Sequence, residues 1–250
     1  MLSESGARAT SFDRKAEQYD AARPSYPDAL VDDVLARTGA RRLLEIGAGT
    51  GQATVPFARR GCTITALEPG ARLAAVLRRN VAGHAVTVEE TRFEDHGGSG
   101  YDLAYAAQAF HWVEAGARYA RDVASWLAII TNEKEPIDSG LRAEFDVAYA
   151  RWMPGDDHKH DPIEWTRKRW VGELDASGHY GPVHVGQFPW RATYATRAYL
   201  DLIDTYSDHI SLPDDRRVPL YAAIADAIER RGGQIEIPYL AMVFLARRPR

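Results

Sequence analysis

The chain has 250 residues, 45% of them hydrophobic and 26% charged, with a formal net charge of −4; a chain of that length and composition can bury a full core without covalent staples. It carries no long basic run, so a nucleic-acid partner is not expected, because phosphate binding needs a concentrated Lys/Arg face. The single cysteine, Cys62, excludes an intrachain disulfide and fits a reducing compartment, and no apolar run of about 20 residues or leader-like stretch occurs, so a cytoplasmic protein with no membrane partner is expected.

In chain order, the first periodic segment after a polar start is DALVDDVLART, Asp28 to Thr38. Leu30, Val31, Val34 and Leu35 fall at helical spacing, and Gly39 follows as a stop. Arg41 to Ile46 is a short apolar strand. Gln52 to Arg60 is helix-like and ends at Gly61. CTITAL, Cys62 to Leu67, is rich in β-branched residues and reads as a second strand. Ala71 to Arg79 is helical, Ala85 to Val88 a third strand, Tyr101 to Ala106 a fourth. Val113 to Ser125 is expected to be helical, and Trp126 to Thr131 a fifth strand. Strand and helix thus alternate five times in the first half, which implies a parallel sheet covered on both faces. Such sheets bind ligands outside the carboxyl ends of their strands.

The second half has a different rhythm. Asp138 to Trp152 and Pro162 to Ser177 are helical, and Val183 to Tyr194 alternates like a strand. Thr196 to Ile210 and Asp214 to Arg231 are helical. QIEIPYLAMVFLA, Gln234 to Ala246, is a long strand with Pro238 as an edge or bulge marker. The two late strands are expected to close the sheet as a hairpin-like pair, and the helices from 138 to 177 to cap the ligand edge. The expected fold is α/β: a Rossmann-like, doubly wound, mostly parallel seven-stranded sheet with an antiparallel C-terminal strand. It is read as one domain over 1–250, with a cofactor core at 11–133, a helical cap at 138–180 and sheet-closing elements at 181–250.

The most informative stretch is LLEIGAGTGQ, Leu43 to Gln52. Gly47, Gly49 and Gly51, with Ala48 between the first two, let the backbone turn sharply and let a ligand approach closely. The helix that begins near Gly51 offers free N–H groups. This much also fits a dinucleotide site. Two details argue otherwise. The spacing is G-x-G-x-G rather than G-x-G-x-x-G, and Glu45 stands where a pyrophosphate would have to pass. A carboxylate there suits a ligand with an amine or other positive charge.

The pattern E-x-G-x-G-x-G at Glu45–Gly51 resembles the first motif of class I S-adenosylmethionine-dependent methyltransferases. S-adenosyl-L-methionine carries an ammonium, a sulfonium and no phosphate. The resemblance implies an acid after the second strand to hold both ribose hydroxyls, and Glu68, followed by Pro69, is there. An acid about 20 residues past the glycines also serves a dinucleotide ribose, so Glu68 alone does not discriminate. After the third strand, TRFED places Phe93, and Glu94 or Asp95, where this family meets the adenine. After the fourth, AAQAFHWV resembles the loop that passes the methionine part of the cofactor in small-molecule methyltransferases similar to trans-aconitate methyltransferase. Gln108, Ala109, His111 and Trp112 match its Q-A-x-H-W pattern. The opening YDAARPSYP, Tyr19 to Pro27, resembles the N-terminal segment of the same subgroup. In it Tyr19 and Arg23 can reach the cofactor's carboxylate end or the acceptor, and Arg23 is a natural carboxylate partner. The resemblance covers residues 11–133. One departure stands out: the Leu-Arg-Pro-Gly-Gly turn usual before the fifth strand is absent from ARDVASWLAIITNEKEP.

Methyl transfer from a sulfonium is an in-line displacement, so binding and alignment matter most. His111 is the candidate base where the acceptor must lose a proton; the other reading of it is structural or cofactor-contacting. Tyr26, Trp112 and Trp152 are candidate acceptor contacts, Trp112 and Trp152 being equally readable as core or cap packing. No metal is expected: His158 and His160 sit in an acidic loop whose spacing matches no closed site. The expected activity is methylation of a small-molecule oxygen or nitrogen in secondary metabolism, with S-adenosyl-L-homocysteine as product, by a monomer or homodimer. The alternatives are a protein of the same fold that catalyses cyclisation or isomerisation, or a binding module.

Overall fold

A computed structural model describes residues 15–119, 121–154 and 163–249. The opening sequence up to Arg14, and the His158 and His160 considered above as metal ligands, lie outside the described residues.

A seven-stranded sheet forms the centre, with strands β1 (Arg42–Ile46), β2 (Thr63–Leu67), β3 (Val86–Glu89), β4 (Tyr101–Ala107), β5 (Ala124–Lys134), β6 (His184–Ala195) and β7 (Gln234–Arg247). Their spatial order is β3-β2-β1-β4-β5-β7-β6. The pairs β1–β2, β2–β3, β1–β4 and β4–β5 are parallel. β7 runs antiparallel to both of its neighbours, β5 and β6. This is the expected Rossmann-like sheet with one reversed strand. The turn before β7 is the glycine pair Gly232–Gly233, and the two late strands pair as expected. Pro238 costs little despite its central strand, because β5 pairs only as far as Lys134 opposite Tyr239 and is ending at that level.

Period-two alternation divides the core. Leu43, Leu103 and Tyr105 point into one apolar cluster with Leu30, Val34 and Phe57. Leu44, Ile46, Ala104 and Ala106 point into the other with Phe110, Trp170 and Leu174. Both faces are covered, which is why β1 reads as a continuous apolar run. The helices are α1 (Ala16–Ala22), α2 (Asp28–Thr38), α3 (Thr54–Arg59), α4 (Ala71–Asn80), the single turn α5 (Ala115–Arg118), α6 (Ser139–Trp152), α7 (Ile163–Ser177), α8 (Thr196–Ile203), α9 (Ser207–Ile210) and α10 (Asp214–Glu229). α2 stops at Gly39, which takes the left-handed conformation at φ 65°. α6 starts at Asp138, whose carboxylate accepts the Leu141 N–H at 2.9 Å. No helix among the described residues is long and apolar enough to cross a membrane.

Four features differ from the sequence expectation. Helix α1 was not read from the sequence. The helix expected over Val113–Ser125 is only the turn Ala115–Arg118, and β5 already begins at Ala124. Arginines take the intervening carbonyls in place of a helical ladder: Arg248 donates to the carbonyls of Tyr119 and Arg121 at 2.9 Å each. The Arg121 guanidinium in turn donates to the carbonyls of Phe93, Glu94 and His96. The helix expected over Thr196–Ile210 is broken between Ile203 and Ser207, where Arg23 binds Thr205. Finally, only one of the two cap helices reaches the ligand edge. α6 packs instead with α8 and α10 in a third cluster built on Phe145, Tyr199, Ile224 and Tyr239.

Candidate functional site

The carboxyl ends of β1, β4 and β5 open into a cleft of about 540 Å³, within the usual range for a small-molecule site. Its floor is the glycine turn. Gly47 and Gly49 adopt φ 68° and 59°, a region a side chain rarely enters. At Gly47 a second constraint applies: a Cβ there would lie 2.6 Å from the Ala109 Cβ. The glycine therefore lets the loop after β4 close onto the turn after β1.

Glu68 fixes the turn from behind. One carboxylate oxygen accepts the Gly49 N–H at 2.8 Å and the other accepts the Gly70 N–H at 2.8 Å. The acid at the end of β2 is thus held in one orientation, 6% exposed, with further acceptor capacity on each oxygen. Glu45 behaves differently from the sequence expectation of a negative charge at the mouth. It contributes to the cleft wall, but its side chain is 1% exposed and accepts the Tyr105 hydroxyl at 2.8 Å. Burial first, and the nearby Glu68 after it, raise its pKa to about 7 against the opposing Tyr105 bond. A cationic ligand group would favour its ionised form.

The loop after β4 supplies the opposite wall. Gln108 is the non-glycine residue at positive φ among the described residues, at 54°, and its side-chain amide donates to the Asn132 carbonyl at 3.1 Å. Such strain is typical of ligand-facing loops. His111 is water-accessible at the cleft wall but closely enclosed by protein. That enclosure first, then the charges of Arg169 and Arg118, lower its pKa to about 4, so the ring is neutral at physiological pH. Trp112 packs against the His111 ring at 4.7 Å between centroids.

α1 and the segment after it cover the cleft. Tyr19, Arg23 and Tyr26 all line it, as do Ala48, Gln52 and Ala109. Arg23 lies over the Tyr19 and Tyr206 rings, at 5.0 and 4.6 Å, and donates to the Thr205 hydroxyl at 2.8 Å and carbonyl at 3.0 Å. Burial raises the Tyr26 phenol well above its ordinary range.

Not every expected residue reaches this cleft. Gly51 faces α4, where a Cβ would meet the Leu77 Cδ1 at 2.9 Å. Pro69 is exposed beside the turn. Phe93 is 5% exposed in the core, with Arg121 over its ring at 5.0 Å. The Glu94 carboxylate accepts the Glu114 N–H at 2.8 Å. Trp152 packs among the helices of the third cluster, with Arg151 over its ring at 4.7 Å. The cleft instead recruits residues the sequence reading passed over: Asn132, Glu133 and Lys134 at the end of β5, Tyr206 and Asp208 on the broken helix, and Trp165 and Arg169 on α7. The β5 residues had an available signal, since they follow a parallel strand's carboxyl end. Among the described residues no group of His, Cys, Asp or Glu could hold a metal ion.

Residues 44–128 match the family model described as a methyltransferase domain. This segment contains the glycine turn, Glu68 and the Gln108–Trp112 loop. Uncharacterized methyltransferases of Mycobacterium tuberculosis and Mycobacterium bovis are 36% identical over 107 residues, a match spanning 42% of this chain and 42% of each relative. The chain therefore covers well under half the length of these curated relatives. Among solved structures, one provisionally assigned as a type II methyltransferase from Anaeromyxobacter dehalogenans aligns with a TM-score of 0.67 at 23% identity, covering 90% of this chain and 97% of its own. A second, provisionally assigned as a methyltransferase of an antibiotic biosynthesis pathway from Anabaena variabilis, aligns at 0.56 and 16% identity, covering 90% and 98%. At these identities the two structures establish the fold.

The cleft chemistry is compatible with S-adenosyl-L-methionine, the ligand that the sequence resemblance implies. The glycine turn at Gly47 and Gly49 leaves room for a close ligand, Glu68 offers carboxylate lone pairs, and Glu45 is poised to ionise beside a cation.

Proposed function

We propose that this protein transfers a methyl group from S-adenosyl-L-methionine to an oxygen or nitrogen of a small-molecule acceptor, in secondary metabolism and in the cytoplasm, as a monomer or homodimer. The observation that carries the reading is Glu68 locked between the N–H groups of Gly49 and Gly70 together with Glu45 in the cleft wall, where a pyrophosphate would have to pass. That arrangement presents a fixed carboxylate beside an open glycine turn, which suits a ribose diol. When bound, the cofactor supplies an electrophilic methyl group on a sulfonium.

The residues then divide the work. Gly47, Ala48, Gly49 and Gln52 form the floor, and Glu68 stands behind it at the ribose end. Glu45 balances the ammonium. Tyr19 closes over the amino-acid end, Arg23 stands between that end and the acceptor space, and Gln108 and Ala109 form the wall past which the methyl is aimed. Tyr26, His111 and the α7 face at Trp165 shape the acceptor space, with Trp112 behind His111. The neutral His111 is the proton acceptor where the acceptor must lose one. Its low basicity suits an acceptor that is already acidic or one that sheds its proton late.

The test is incubation with methyl-labelled S-adenosyl-L-methionine and a panel of small acids, phenols and amines. Label in a product and matching S-adenosyl-L-homocysteine are expected. Product formed without label, or binding without turnover across the panel, would replace methyl transfer by the non-methylating readings.

A further inference from the structure

We propose that the acceptor carries an anionic group, a carboxylate or phosphate, and that Lys134 together with Arg23 receives it at the β5 end of the cleft. The proposal rests on the methyltransferase reading for what lies beside it, but its own observations are independent. The Lys134 ammonium sits 4.4 Å from the centroid of the Tyr206 ring, and the Arg23 guanidinium sits 4.6 Å from the same centroid. Both cations line the cleft. Among the described residues neither has a carboxylate within 4.0 Å: the ion pairs there include neither Arg23 nor Lys134. Arg23 uses Nε and Nη2 on Thr205, which leaves Nη1 for a ligand.

Two like charges gathered around one ring in a sheltered cleft repel each other and lose hydration. A tyrosine face offsets only part of that. Burial, then Arg23, lower the Lys134 pKa to about 7, and Asp208 alone opposes them. The acids nearby are poorly placed to serve as partners. Asp208 accepts its neighbour His209's N–H at 2.8 Å, and Glu133, which also lines the cleft, is not among the charges that act on Lys134. An incoming anion is the missing component.

Position indicates which anion. The glycine turn and Glu68 follow β1 and β2, whereas Lys134 ends β5, two strands along from β1 in the order β1-β4-β5. At about 5 Å per strand this is about 10 Å from the turn, on the acceptor side.

The experiment titrates the full chain with malonate and with inorganic phosphate at constant ionic strength, with and without saturating S-adenosyl-L-homocysteine, by calorimetry. Malonamide is the neutral control. The expected result is that at least one anion binds the homocysteine-loaded protein and malonamide does not. Lys134→Met should weaken that anion about tenfold or more, Lys134→Arg should retain it, and S-adenosyl-L-homocysteine affinity should stay the same in both. Unchanged anion affinity in Lys134→Met would overturn the proposal. So would anion binding that S-adenosyl-L-homocysteine abolishes, since the two cations would then hold the cofactor's own carboxylate. If S-adenosyl-L-homocysteine failed to bind at all, the functional reading would fall, and the ligand-free titration of Lys134→Met would still decide the anion site.

Discussion

The Glu68 carboxylate accepts the Gly49 amide at 2.8 Å, so the acid that ends β2 holds the turn that ends β1. Its other oxygen accepts Gly70, and both oxygens are committed to N–H donors. Glu68→Gln keeps the size but can offer only one acceptor oxygen, leaving its amide facing a second donor. An unsatisfied buried pair of this kind costs about 1–3 kcal/mol. The expected outcome is a lower melting temperature and a loss of cofactor affinity together, read by thermal unfolding and calorimetry. Unchanged affinity would show that the bridge does not shape the binding turn.

The glycines of the turn should separate strain from collision. A Cβ at Gly61, also at positive φ, meets nothing within 4 Å, whereas at Gly47 it meets Ala109 at 2.6 Å. Gly61→Ala should therefore cost only the left-handed penalty of about 1 kcal/mol. Gly47→Ala should cost about 2–4 kcal/mol, adding overpacking to strain. Denaturant melts of the two variants check this, and equal costs would mean that the β4 loop gives way freely.

Gly49 tests the site more than the fold. A Cβ there meets only ordinary van der Waals contact, with Tyr19 Cε1 at 3.7 Å, but its φ of 59° is disfavoured for a β-branched residue. Gly49→Val should leave a folded protein and abolish binding of S-adenosyl-L-homocysteine. Circular dichroism with calorimetry reads both.

Glu45 gives a pH signature with a definite sign. Its pKa is raised from 4.5 to about 7 in the folded state, so the fold favours the protonated form. Its contribution to stability is full below pH 4.5 and is lost as pH rises toward 7, at up to about 1.4 kcal/mol per pH unit. Above pH 7 the loss levels off. The stability of Glu45→Gln relative to the parent should therefore rise across that window and then stay flat. Cofactor affinity of the parent should move the other way, strengthening as pH rises to 7, because the ammonium favours ionised Glu45. A stability difference that does not vary with pH would contradict the raised pKa.

His111 should stay neutral well below the usual histidine range, given its pKa of about 4. Its ring signals in nuclear magnetic resonance should not titrate between pH 5.5 and 8. A transition near pH 6.5 would show that the cleft water, and not the enclosure and the two arginines, governs the ring.

The sheet and the floor of the site were legible because their causes are local. β1 announces itself as an apolar run, the glycines by their spacing, and Glu68 by its place after β2. The failures share a cause of the opposite kind. VEAGARYARDVAS contains good helix formers, but its carbonyls are taken by Arg248, 127 residues away from Arg121. Tertiary partners thus overrode propensity. At the helix break Thr205 accepts from Arg23, 182 residues away. The same break brings Tyr206 and Asp208 into the cleft, so a missed break became a missed part of the site. Trp152 drew attention as an aromatic in the cap, yet α6 turns its apolar face toward α10 and the third cluster. Composition alone does not say which helix of a cap faces the ligand.

The most direct test of the central claim is thermal unfolding of the full chain with S-adenosyl-L-methionine, S-adenosyl-L-homocysteine and NAD in turn. A ligand at about 100 times its dissociation constant stabilises the native state by about 2.7 kcal/mol, a shift of several degrees for a protein of this size. The account predicts that shift with the sulfonium compound or its demethylated product and none with NAD. A shift with NAD alone would contradict it and return the glycine turn to a dinucleotide site.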